Sequence, residues 1–262
     1  MKKFLQFGKK SAFVLMLLIS ATVANAQTRT ASQDGPWNVT TTWGGQSVPT
    51  SSDDVVINPG IDLTLASGAN AECKSITFAT SGTSTTASTL AISSGYKVTV
   101  TNAITLNNAA GNNRSATISG AGSIFAGSLV VGGTNTSPSA DATTTLNSTI
   151  TNFTISGIVS VNSEDNGSND NDAAFSIQSG VVSVGGVITL DSDNSSGAVA
   201  TISLQSGAQS GKLILTNAAP FTLTGSGTET TSFNGTTSAV SYAGSDQAIL
   251  STTYRNLQLS GT

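Results

Sequence analysis

The chain has 262 residues, with 10 basic and 14 acidic side chains, one cysteine and no histidine. Only 9% of its residues are charged and the net charge is −4, so it lacks the cationic stripe that nucleic acid or an anionic membrane requires. Without histidine, Ser-His-Asp and Cys-His catalysis and every histidine-bearing metal site are excluded.

Residues 1–26 read as an export signal. Lys2, Lys3, Lys9 and Lys10 form a positive start, Ala12 to Val23 are mostly apolar, and Ala24-Asn25-Ala26 is an A-x-A cleavage sequence. The apolar run is shorter than the roughly 18 residues that cross a bilayer core, and no later segment is long and apolar enough to span one. The mature chain then begins at Gln27 and is secreted or held at the outer cell surface. Cleavage removes four of the ten basic residues and none of the fourteen acidic ones, leaving a net charge of −8. Cys73 stands alone, so no internal disulfide forms despite the oxidising compartment, and it reads as a small core residue.

Residues 34–58 hold both tryptophans, Trp37 and Trp43. They are expected to cap the apolar end of the first repeat with their indole N–H groups near water.

After this head, one pattern recurs. Leu63-Thr64-Leu65, Ile104-Thr105-Leu106, Val159-Ser160-Val161 and Ile188-Thr189-Leu190 are apolar/hydroxyl/apolar triplets. A polar loop and a second short strand follow each: Ser75 to Phe78, Ala116 to Ser119, Phe175 to Ile177 and Thr201 to Leu204. The text Phe175-Ser-Ile-Gln-Ser-Gly180 returns 27 residues later as Ile202-Ser-Leu-Gln-Ser-Gly207. Period-two alternation, strands of three to six residues and Gly, Asn, Asp and Ser between them exclude helical packing.

Such spacing also fits an antiparallel β-sandwich, but a sandwich has no reason to repeat its own text. The sequence therefore predicts an all-β, right-handed parallel β-helix in one elongated domain. Eight or nine coils at about 4.8 Å per stacked strand span about 40 Å. Leu65, Ile104, Ile118, Val161, Ile177, Ile188, Leu204 and Leu215 are expected to point inward, with Ser and Thr outward. Residues 241–262 read as an incomplete repeat, leaving an open C-terminal edge for further chain or a partner.

The head and tail carry a resemblance. Trp37, Thr42-Trp43-Gly44-Gly45, Val48-Pro49 and Asp53-Asp54-Val55-Val56-Ile57, followed by Cys73-Lys74-Ser75-Ile76-Thr77-Phe78, resemble the opening of secreted, repeat-containing β-helix proteins of Bacteroidota-type bacteria. Ser241-Tyr242-Ala243-Gly244-Ser245 and Thr253-Tyr254-Arg255-Asn256-Leu257-Gln258-Leu259 are similar to their tyrosine–asparagine–leucine unit. The resemblance implies a long adhesin-like surface protein exported by type IX secretion. The sorting domain of that route is absent here, and no catalytic residue is carried over.

The remaining chemistry is acidic. Glu164, Asp165, Asp170 and Asp172 crowd one loop, and Asp191 with Asp193 crowd the equivalent loop of the next repeat. Stacking is expected to bring these loops side by side, where Asp165, Asp170, Asp172, Asp191 and Asp193 are candidate ligands for a structural calcium ion joining two coils. No strict calcium motif is present, and the favoured expectation is a solvated loop whose Asp and Asn cap their own turns. A polysaccharide lyase needs a base beside such an ion, for which Arg114 is the candidate. A hydrolase needs two carboxylates, for which Asp165 and Asp191 are the candidates. Scattered basic residues, short loops and few aromatics weigh against both. The expectation is a non-catalytic structural or adhesin-like surface module, with glycans or other surface proteins as partners.

Overall fold

A computed structural model describes residues 26–79, 86–108, 113–133, 141–165, 169–192, 197–204 and 211–260. The export signal apart from Ala26, and Asp193, lie outside these residues. Strands β1 (Thr28–Ala31) and β2 (Gly35–Pro36) open the stack ahead of a 3-10 turn at Thr40–Trp43. Then come β3 (Asp54–Ile57), β4 (Asp62–Leu65), β5 (Ala71–Cys73), β6 (Ser75–Phe78), β7 (Ser88–Ile92) and β8 (Lys97–Leu106). Two long bent strands, β9 (Arg114–Gly132) and β10 (Ala142–Ile155), run through corners without a break. The next strands are β11 (Val159–Asp165), β12 (Asp170–Ile177), β13 (Gly180–Val184), β14 (Ile188–Ser192), β15 (Val199–Leu204) and β16 (Gly211–Leu215). The stack closes with β17 (Phe221–Gly225), β18 (Thr228–Ser232), β19 (Ala239–Tyr242) and β20 (Leu257–Leu259).

Pairing sorts these strands into three ladders, one for each face of a coil. The first face runs β1, β3, β6, the end of β8, the end of β9, β11, β14 and β17. On the second are β2, β4, β7, the start of β9, the start of β10, β12, β15 and β18. The third runs from β5 through the start of β8, the middle of β9 and the end of β10 to β13, β16, β19 and β20. Every one of these pairings is parallel, so the chain is a β-solenoid and not an antiparallel sandwich. Coils with a strand on all three faces begin at β3 and end at β19, so closed turns are fewer than the eight or nine expected. The first circuit uses two faces only, and the last contributes β20 alone.

The core is a set of in-register columns. On the first face Ile57, Phe78, Leu106, Val131, Val161 and Leu190 stack; on the third, Val98, Ile124, Phe153, Val182, Leu213 and Val240 do. All are buried, as are the eight aliphatic side chains expected to point inward. Phe153 and Phe175 meet edge to face across the interior at 6.3 Å between ring centres. A single coil cannot cover such a column; its neighbours must. Gly180 turns the corner into β13 at φ +73°, where a side-chain carbon would run into the Ile150 carbonyl oxygen.

The head seals the first circuit. Trp37 and Trp43 are both buried and lie edge to face at 5.2 Å. Their N–H groups do not reach water, contrary to expectation. Trp43 Nε1 donates to the Trp37 carbonyl at 2.6 Å, and Trp37 Nε1 is buried with no protein acceptor. The reason is local: Trp43, at the end of the 3-10 turn, packs against Trp37 and its N–H meets the Trp37 carbonyl instead of solvent.

Beside them, buried Asp53 accepts from Gln27 N (3.0 Å), Thr50 N (2.9 Å) and Thr50 Oγ1 (2.9 Å), with Arg29 Nε at 3.7 Å. Burial alone raises its pKa, but these bonds and the Arg29 charge outweigh it and hold the carboxyl below its ordinary value of 3.8. Asp54 is lowered as well, chiefly by the hydrogen bond from Ser75 Oγ at 2.6 Å. Cys73 lies inside this corner, its thiol pushed up to about 12 by burial and then by the charges of Asp54 and Asp53. It is an inert core residue, as expected.

At the other end Leu257 and Leu259 continue the columns of Val240 and Tyr242, yet they are 42% and 64% exposed. Tyr254 stacks on Phe233 at 5.7 Å between ring centres, and its hydroxyl donates to the Leu250 carbonyl at 2.7 Å. Asn256 Nδ2 donates to the Ser238 carbonyl at 2.8 Å.

Because the Asp53 carboxyl is depressed in the folded chain, its stabilisation is present above the unfolded carboxylate range and is lost as pH falls from there through the lower folded value. Urea denaturation should show Asp53→Asn destabilised by about 1–3 kcal/mol at pH 7. The difference should be smaller at pH 3 than at pH 7. An equal loss at both pH values would refute the ionised-anchor assignment.

Candidate functional site

The acidic residues gather where the chain passes from the first face to the second. Here β11 and β12 extend past the solenoid as a short antiparallel hairpin, pairing Glu164 with Asn171 and Asp165 with Asp170. Strands entering the second face start at this corner, and their first N–H groups have no ladder partner from the previous coil. Side chains supply it. Asn113 Oδ1 accepts from Thr143 N at 2.9 Å, Asp141 Oδ1 from Asp170 N at 3.1 Å, and Asp172 Oδ1 from Val199 N at 2.9 Å. The device recurs earlier: Asp34 Oδ1 accepts from Asp62 N at 2.8 Å, and Asn70 Oδ1 from Lys97 N at 3.0 Å. Each Asp or Asn thus caps the strand of the following coil, not its own turn as expected.

Stacking these caps leaves a cleft of about 280 Å³ lined by Asn113, Asp141, Thr143, Asp170, Asp172 and Gly197. The Asp170 carboxylate lies against the Gly197 backbone, where any larger residue would collide with it. The pKa of Asp170 is raised, first by desolvation and then by the charges of Asp165, Asp141 and Asp172. Asp172 is raised as well, mainly by burial, against the lowering effect of the bond from Val199 N.

Of the five candidate calcium ligands, Asp170 lies within electrostatic reach of Asp165 and Asp172, and also of Asp141. Asp191 stands apart on β14, in register with Asn162 and Thr224. Asp193 lies outside the described residues. The loops do leave neighbouring strands of one face, β11 and β14, as the repeat implied. Their carboxylates part because Asp191 remains in the ladder while Asp165 is carried out along the hairpin. Glu164, expected in the solvated loop, is buried. Among the described residues no three acidic or cysteine side chains are grouped to hold a metal ion. Oδ1 of both Asp141 and Asp172 is already engaged by a backbone N–H.

Arg114, the candidate base, opens β9 with its side chain turned inward at 4% exposure, and burial lowers its guanidinium pKa. Asp165 pairs with Asp170 and Asp191 with Asn162, so the two carboxylates considered for hydrolysis belong to separate strand pairings. No family model, curated protein or solved structure matches this chain.

Asn113 and Asp141 carry no compositional signal in the sequence because they stand outside any acidic run. Their signal is positional: each is the last polar residue before its coil enters the second face.

A carboxyl whose folded pKa is raised costs stability as pH rises through that value, and acid relieves the cost. Asp170→Asn, which keeps the shape and removes the charge, is expected to raise the melting temperature at pH 7 by about 1–3 °C. The gain should vanish near pH 3. In the same assay, exchanging EDTA for calcium is expected to shift the wild type by less than about 1 °C. A rise of several degrees with calcium, abolished in Asp170→Asn, would assign the corner to a cation instead.

Proposed function

We propose that this chain is an exported, non-catalytic β-helical module of the adhesin-like kind, acting at the cell surface as a stalk or adhesive spacer. The observation that carries the reading is the occupation of its acidic corner. The carboxylates crowded there serve the stack as inter-coil acceptors. The residue considered as a base, Arg114, has its side chain buried. Polar residues concentrated in this way serve a scaffold, while a lyase or hydrolase needs groups that reach substrate from solvent.

Two further features support it. The head Asp53-Asp54 anchor and the Tyr254–Asn256 tail, which resemble those of secreted Bacteroidota-type surface proteins, both have structural roles in the stack. The outward positions of the strands are rich in Ser and Thr, a neutral surface suited to weak glycan or protein contact. In this reading the apolar edge at Leu257 and Leu259 receives a further coil or a partner.

The test is turnover. Incubation with neutral and acidic polysaccharides, with and without calcium, is expected to release no reducing ends and no unsaturated products. Product release lost in Asp170→Asn or Asp191→Ala would overturn the reading in favour of a polysaccharide-degrading enzyme.

A further inference from the structure

The third face carries a feature that the stack does not need. Along its outward column Thr99, Phe125 and Thr154 are direct neighbours on three successive coils. Phe125 is 41% exposed, a phenyl ring placed where nearby coils present threonine and serine. Core packing does not call for it, since its own strand turns Ile124 and Ala126 inward.

Around the ring lies a groove of about 290 Å³, lined by Thr99, Thr101, Phe125, Gly127, Thr154 and Ser156 together with two aliphatic residues. Gly127 has no side chain to fill the corner, and it can have none. A Cβ there would strike the carbonyl oxygens of Thr101 and Asn102. The result is an aromatic wall rising beside a glycine corner, with hydroxyls on both flanks. Lys97 Nζ sits 6.0 Å from the Phe125 ring centre but does not line the groove, and no lining side chain is charged.

A pyranose has an apolar C–H face and a rim of hydroxyls. An aromatic ring takes the face, and threonine and serine hydroxyls, which both donate and accept, take the rim. The volume lies at the low end of ligand pockets, the size for one sugar residue of a chain running over the face. Lys97 lies over the ring but is not among the lining residues, so the groove itself offers a uronate carboxylate no charged partner and suits a neutral sugar. We propose that the Phe125 groove is a binding subsite for a neutral pyranose unit of a polysaccharide, with Phe125 as its stacking platform. This inference rests on the adhesive reading above and gives it a ligand class.

Affinity electrophoresis of the full chain in gels containing xylan, mixed-linkage glucan, galactomannan or polygalacturonate tests it. At least one neutral polymer is expected to retard the wild type, and polygalacturonate is not. Phe125→Ala should weaken retardation at least tenfold while leaving the melting temperature within about 1 °C, because the ring is exposed. Phe125→Trp should retain binding. Retardation by no neutral polymer, retardation unchanged in Phe125→Ala, or preference for polygalacturonate would each overturn the inference. None of those results produces turnover, so the non-catalytic reading fails only by its own assay.

Discussion

The structure depends on one constraint: an apolar column on a coil is dry only when the next coil lies over it in register. Three residues of a triplet such as Val159-Ser160-Val161 bury little by themselves. Stacked between Leu129–Val131 and Ile188–Leu190, both valines become inaccessible. Parallel pairing is what keeps identical positions superposed from coil to coil, and a shift of one residue would turn every aliphatic outward. Because the interior is continuous, even large side chains such as Phe153 and Phe175 find room by meeting across it.

The same constraint creates the polar chemistry. Corners interrupt the ladders, and interrupted ladders leave backbone N–H groups that must be satisfied. Asp and Asn placed one coil earlier do so along the whole length, from Asp34 to Asp172. Where such carboxylates lie in adjacent coils, desolvation and then the neighbouring charges raise the pKa of Asp170, and a cleft lies beside it. An acidic pocket can therefore arise from scaffold geometry alone. The Phe125 groove differs in that its ring satisfies no column and no cap.

Legibility in the sequence followed from periodicity. The triplets are short and regular, so the inward side of β4, β11 and β14 and the buried state of Cys73 could be read directly. What involved two distant positions could not. Asp141 looks like an isolated aspartate until coiling puts it before Asp170 N, 29 residues on. Asp191 and Asp165 share a composition but part company because Asp165 pairs with Asp170 in a two-pair hairpin while Asp191 stays in the ladder opposite Asn162. Trp37 and Trp43 stand out in the sequence, but the burial of their N–H groups depends on how the segment around the 3-10 turn folds, which has no strong local signature. The length of β9 hides three faces in one strand, since Gly120 bends the chain without breaking it.

Register between coils is the claim from which the rest follows, and disulfide trapping measures it directly. Ser119 and Thr149 are outward partners on adjacent coils, a separation of about 4.8 Å at which a disulfide forms. With native Cys73 buried and unreactive, oxidation of a Ser119→Cys/Thr149→Cys chain is expected to give an intrachain disulfide in nearly all molecules without loss of stability. The pair Ser119→Cys/Ser148→Cys, displaced by one position to the inward side, should remain reduced. Equal trapping of both pairs, or of neither, would contradict parallel in-register winding.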